Sequence, residues 1–249
     1  MRVYAHRGCH QTEPENTLAA FAEALALGVD GLELDVRQTG SGTLVCFHDW
    51  YLKRLTGLSG RLNRTSTERL LELSIHHPTT HRKRPVATLD EVLTLVADSV
   101  EVILDLKQEG VRPNRLEQDT VALLRQHGLD ERVTVSSFNP WVLKRVKQLA
   151  PEYRTALIAS SRLGVRLFHP DYCDGLHVHH ALLQRRWFIQ SAAQYGRLMV
   201  WTADQRAMLP KPIPDAVRGI ITNLPRRWGV TSIGRKPSFT EQRHAGRAR

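Results

Sequence analysis

Cysteine is scarce in this chain. Its three copies, Cys9, Cys46 and Cys173, are odd in number and widely spaced, with no C-x-x-C pair. That excludes a disulfide framework and a thiolate zinc site. Long apolar runs are missing too: no stretch approaches the roughly 18 apolar residues that a membrane-spanning helix needs. No charged-then-apolar leader precedes the strand-like Val3-Tyr4-Ala5, so the chain is expected in the cytoplasm. There is no short repeat of fixed period and no low-complexity tract. Acidic residues number 25 against 35 Lys and Arg, for a formal net charge of +10. Such a balance favours anionic partners or substrates. From Arg226 onward seven Lys or Arg face one acid, Glu241, which leaves +6 in the tail. A nucleic-acid binder would carry its basic stripe within a folded motif, so no nucleic-acid partner is expected.

What is present is an ordinary soluble balance, 41% hydrophobic and 24% charged, over 249 residues. That length is typical of one (β/α)₈ barrel. Strand-like runs recur at Val3–His6, Gly31–Val36, Leu44–His48, Val100–Lys107, Arg132–Ser136, Arg154–Ala159, Gly175–Val178, Leu198–Thr202 and Gly219–Thr222. Amphipathic helical stretches lie between most of them, at Asn16–Leu27, Leu89–Ala97, Asn114–His127 and Pro140–Leu149. Thr88 and Glu91 have capping-box spacing. Alternating strand and helix implies a parallel sheet covered by helices. Nine runs are one too many for eight strands. Only Gln38 to Gly42 separate the second run from the third, too few for a parallel crossover. One of these two runs is therefore a hairpin arm, turned at Gly40-Ser41-Gly42. The segment from Asp49 to Val86 is polar and basic and reads as an insertion over one end of the barrel. The expected fold is a TIM (β/α)₈ barrel over residues 1–225, with an insertion at about 49–87 after the third run. A flexible basic tail is expected at 226–249.

In the second run, Glu33 and Asp35 share one face and Leu32, Leu34 and Val36 the other, because side chains alternate along a strand. Two like charges aimed into a barrel are costly unless a cation offsets them. The plainer alternative is a solvated edge strand. Asp105 and Lys107 repeat the pattern on the fourth run, as a partly buried ion pair or as a third oxygen ligand beside a cation. Three carboxylates without thiolates suit Mg²⁺ or Ca²⁺ better than zinc. His6 and His48 each close a strand at the expected C-terminal mouth, where barrel active sites lie. They can be structural, or can act as acid and base. Arg7 offers a bidentate donor for phosphate, and Gly8 allows a close backbone approach.

The combination of His6-Arg7-Gly8, Pro14-Glu15-Asn16-Thr17, Glu33-x-Asp35, His48-Asp49 and Asp105-x-Lys107 resembles the glycerophosphodiester phosphodiesterase family. The resemblance continues through Ser136-Ser137-Phe138, Trp201-Thr202 and Gly219 to Pro225. It implies a TIM barrel with a small insertion after the His-Asp motif. It implies His6 and His48 as the acid–base pair, and Glu33, Asp35 and Asp105 as ligands of a divalent metal. Arg7 and Lys107 would bind the phosphodiester. The implied reaction is metal-dependent hydrolysis of a glycerophosphodiester to glycerol 3-phosphate and an alcohol. Two positions depart from the family: Asp105 stands where Glu is usual, which suggests water-bridged ligation or a shifted metal, and Asn223 stands where Asp is frequent. Asn223 is expected to cap a turn.

Trp201, Phe138 and His177 are candidate substrate-pocket residues, with Trp201 either core or a wall for a glycerol moiety. His177 and His179 share a strand face, which suits a polar barrel lining better than a zinc site. His76, His77 and His81 read as a solvated loop, and Cys46 as a buried inert thiol. Two rival functions remain: lysophospholipase D-type action on a lipid-bearing diester, and a non-catalytic binding barrel. The tail is read as solubilising or, alternatively, as a weak anchor to anionic membrane.

Overall fold

Eight strands pair in parallel around a closed circuit: β1 (Arg2–His6), β2 (Gly31–Gln38), β3 (Glu101–Leu106), β4 (Val133–Ser137), β5 (Arg154–Ala159), β6 (Gly175–His179), β7 (Arg197–Trp201) and β8 (Val217–Thr222). Each pairs with its successor, and β8 returns to β1 with Ala5 opposite Thr222. The computed structural model describes residues 1–97, 99–108, 110 and 115–230. The surplus ninth run is the arm Leu44–Cys46, antiparallel to β2. The Thr39 amide donates to the Thr43 carbonyl at 2.9 Å to close the turn between them.

Leu32, Leu34 and Val36 of β2 point outward and are fully buried beneath the helices. Trimming such a leucine to alanine costs about 2–5 kcal/mol. The inward face fills the barrel floor with Tyr4, Ile103, Met199 and Ile221. Gly31 also faces inward, where a Cβ would come within 2.4 Å of the Tyr4 ring. Only glycine lets that ring lie across the floor.

The helix Leu18–Leu27 starts at Thr17, whose hydroxyl accepts from the Ala20 amide. The helix Leu89–Val96 carries the Thr88–Glu91 capping box expected from its spacing. Asn139 caps Pro140–Leu149, with proline in the first turn. The helix expected over 114–127 is described as Leu116–Gln126; Asn114 lies outside the described residues. After β5 the helical ring thins to short helices and 3₁₀ turns. No helix among the described residues is long and apolar enough to cross a membrane.

The insertion folds into a small unit of its own. It holds the helices Lys53–Thr56 and Thr67–Leu71 and a two-stranded sheet, Ser74–His76 with Lys83–Pro85. Beneath them Phe47, Leu52, Leu55, Leu62, Leu70 and Ile75 form a small separate core. His77, expected in solvent, is buried. Its Nδ1 accepts the Thr80 amide at 3.0 Å, so its Nε2 donates to the His10 carbonyl at 3.1 Å. The histidine pins the insertion to the loop after β1. Past the expected boundary at residue 225 the described chain still packs on the barrel. Trp228 is buried and donates from Nε1 to the Ala203 carbonyl at 2.9 Å. The tail from residue 231 onward lies outside the described residues.

Candidate active site

Strand register assembles the site. His6 lies opposite Glu33 across β1 and β2, Asp35 opposite Asp105 across β2 and β3, and Asp105 opposite Ser136 on β4. Period-two alternation turns all of these side chains to the interior at the C-terminal end. Each of Glu33, Asp35 and Asp105 offers an oxygen, and the three oxygens lie within 4.8 Å of one another. Arg7 Nε sits 3.0 Å from Asp35 Oδ2, and Lys107 Nζ 3.1 Å from Asp35 Oδ1. Lys107 also pairs with Asp105.

Two cations among three buried carboxylates leave an uneven balance. Burial would raise the Asp35 carboxyl, but Lys107 and Arg7 hold it far below the usual range. Burial first, and then Asp35 and Asp105, push Glu33 well up. Burial and the Asp35 charge also raise Asp105, against the pull of Lys107. Glu33 Oε2 and Asp105 Oδ1 are buried with no hydrogen-bond partner. A buried orphan acceptor costs roughly 1–3 kcal/mol, more when charged. The set therefore fits a hard divalent ion. Oxygens held about 2.0–2.6 Å from one Mg²⁺ or Ca²⁺ fall within about 4–5 Å of each other.

The loop after β1 orients these groups. Arg7 and Asn16 both have φ of +57°. At Gly8, with φ of +80°, a Cβ would meet the Ala20 backbone at 2.6 Å. Asn16 tolerates the left-handed region and grips Asp35 at both ends. Its Nδ2 donates to Asp35 Oδ2 at 2.8 Å, and its Oδ1 accepts the Asp35 amide at 3.2 Å. Glu15 accepts from Arg7 at 2.9 Å and from Arg54 of the insertion at 2.8 Å. Arg54 in turn binds Asp49 at 2.6 Å, and Asp49 Oδ1 lies 2.7 Å from His48 Nδ1. Burial works against these bonds, yet they hold the Asp49 carboxyl down at about 2. A chain of charges thus runs from His48 to Asp35. Arg37, unremarked in the sequence, donates twice to the His48 carbonyl, at 2.8 and 2.6 Å, and stacks on Trp50 at 3.4 Å.

Asn223, expected to cap a turn, instead bridges Asp204 to two histidines. Its Nδ2 and backbone N–H donate to the Asp204 carboxylate at 2.9 and 2.8 Å. Its Oδ1 therefore accepts from His6 Nδ1, 2.6 Å away, and from His10 Nε2 at 2.7 Å. That bond puts the ring proton of neutral His6 on Nδ1 and leaves the Nε2 lone pair 3.8 Å from Glu33. Burial, and then Arg7, push His6 down to about 4. It is neutral at neutral pH.

Two adjoining cavities open here. The inner one, about 240 Å³, is bordered by His6, Arg7, Glu33, His177, Phe138 and Trp201 among others. The outer one, about 690 Å³, lies beneath the insertion, bordered by Arg37, Trp50, Tyr51 and Lys53. His48, Asp105, Lys107 and Phe138 border both, whereas His6 borders only the inner.

A family model described as the glycerophosphoryl diester phosphodiesterase family matches residues 6–227. The chain belongs to this family. A glycerophosphodiester phosphodiesterase of Caldanaerobacter subterraneus subsp. tengcongensis is 30% identical over 237 residues, covering 90% of this chain and 94% of its own. A phosphodiesterase of Oleispira antarctica, solved in complex with the product sn-glycerol-3-phosphate, matches with a TM-score of 0.77. It is 25% identical over 92% of this chain and 96% of its own. A glycerophosphodiester phosphodiesterase of Agrobacterium tumefaciens shares the fold, with a TM-score of 0.77 at 24% identity over 92% of this chain and 98% of its own.

In this glycerophosphoryl diester phosphodiesterase family member the shorter Asp105 side chain still reaches the cluster. One of its oxygens lies within 4.8 Å of an oxygen of Glu33 and of Asp35. Cys46 is fully buried, its thiol pushed well up by burial, in keeping with an inert role. His177 is 3% exposed, and burial and then Arg197 push it down to about 3. His179 sits at the rim against Trp201, with ring centroids 5.1 Å apart. Among the described residues the one group placed to hold a metal is Glu33, Asp35 and Asp105, and neither His177 nor His179 belongs to it.

Proposed function

We propose that this chain hydrolyses glycerophosphodiesters to glycerol 3-phosphate and a free alcohol, with Mg²⁺ or Ca²⁺ held by Glu33, Asp35 and Asp105. One observation carries the reading: two imidazoles flank a buried three-carboxylate cluster into which Arg7 and Lys107 are pinned. The product bound by the Oleispira neighbour is the product this reading assigns. The bound cation supplies positive charge against the phosphoryl oxygens and favours a deprotonated hydroxyl beside it. Arg7 and Lys107 orient the phosphate and stabilise charge that develops on its oxygens.

His6, neutral and with Nε2 unprotonated, takes the proton of the attacking hydroxyl, either water or the glycerol's own. In the second case a cyclic phosphate forms and water then opens it. His48 borders both cavities and so stands between the phosphate and the leaving alcohol. In its imidazolium form His48 keeps Nδ1–H on the Asp49 carboxylate and presents the second ring proton, on Nε2, to that alcohol. Trp201 and Phe138 meet edge to face at 5.6 Å and, with His177, wall the glycerol end. The test is turnover of glycerophosphocholine with and without chelator. Cation-dependent release of choline and glycerol 3-phosphate is expected. Release of phosphocholine and glycerol, or turnover indifferent to chelator, would sink the reading.

A further inference from the structure

The outer cavity has a chemistry that the hydrolytic reading leaves unused. Three cationic side chains outside that reading border it, Arg37, Lys53 and Arg54, against Asp49, while Lys107 and Asp105 of the proposed hydrolytic site close its inner edge. Lys53 is exposed and has no ion-pair partner among the described residues. The helix Pro140–Leu149 begins at the rim, where Asn139 is both its cap and part of the wall. The positive end of that helix adds to the same field.

Aromatic rings also stand around this cavity, and they might suggest a cage for a quaternary ammonium group. Each already carries a cation of the protein. Arg37 lies over Trp50 at 3.4 Å, Arg61 over Tyr51 at 5.4 Å and Lys107 over Phe138 at 5.4 Å. On the adjoining helix Lys144 lies over Trp141 at 5.5 Å. A substrate ammonium there would meet like charge, and an anion would meet opposite charge. We infer that the outer cavity is the alcohol subsite, and that it selects alcohols bearing negative charge, such as a phosphorylated polyol, over choline or ethanolamine. The inference rests on the hydrolytic reading above and adds the substrate class.

The experiment compares kcat/KM for glycerophosphoinositol 4-phosphate, glycerophosphoglycerol and glycerophosphocholine, using the full chain loaded with its cation. The expected order is anionic, then neutral, then cationic, with a spread of about tenfold or more at low salt that narrows as ionic strength rises. Lys53→Glu should cut the anionic-to-cationic ratio about tenfold, chiefly through KM. An equal or reversed order, a ratio unmoved by Lys53→Glu, or preference for a lysophospholipid over all three would overturn the subsite alone. Turnover of none of these diesters would overturn the hydrolytic reading with it.

Discussion

The two halves of the barrel mouth are built to different plans. Strands β1 to β3 and their loops supply His6 and His48, all three carboxylates and both pinned cations, and these charges are partnered largely among themselves. Strands β5 to β8 answer with Ile158, His177, Trp201 and Ile221. One half concentrates charge where a phosphate would sit, and the other offers shape. The exception is instructive. His177, on the shape side, buries an Nδ1 with no hydrogen-bond partner. Its wall therefore contains one polar group that gains from a hydroxyl placed against it.

The division breaks first at the histidines. His6→Ala and His48→Ala should each lower kcat by about 10²–10⁴-fold, with thermal unfolding little changed. Turnover near wild type in a folded variant would take that residue out of the charged half's chemistry. Asp105→Asn gives a smaller effect and a sharper question. Removing one charge from the cluster should weaken Mg²⁺ or Ca²⁺ binding by about tenfold or more, read by calorimetry. Unaltered affinity would mean that Glu33 and Asp35 suffice as ligands.

The smallest effect tests the shape half. His177 is held near 3 in the folded chain, against about 6.5 when unfolded. The group is depressed on folding, so its contribution is complete above about pH 6.5 and is lost as pH falls toward 3. Over that window it should add up to about 1.4 kcal/mol per pH unit to the loss of stability. Urea unfolding between pH 6 and pH 4 should therefore show a shallower slope for His177→Leu. An identical slope would mean that the folded chain lets this ring ionise.

The same division sets what could be read from sequence. Glu33-x-Asp35 and Asp105-x-Lys107 announce themselves because a strand alternates its faces, and the short gap at Gln38–Gly42 exposes the hairpin. Asn223 stayed hidden as a partner of His6 because 217 residues separate the two, and no periodicity marks such a bond. Arg37 and Arg54 look like surface charge until the insertion folds onto the loop after β1. The insertion's small core was masked by the polar residues around it. His77 went unrecognised for the same reason.

The bond from Asn223 to His6 also bears on how the chain comes into being. During synthesis the carboxylate cluster and both histidines have been made by Lys107, yet Asn223, the hydrogen-bond partner of His6, comes just after the last strand. Until β8 docks against β1, the His6 ring has no Asn223 to fix its proton. A nascent or truncated chain lacking β8 would hold the full motif and an unaligned base. If His6 is the base proposed above, hydrolysis should begin only when the barrel closes, and the onset of activity during refolding would time the final strand.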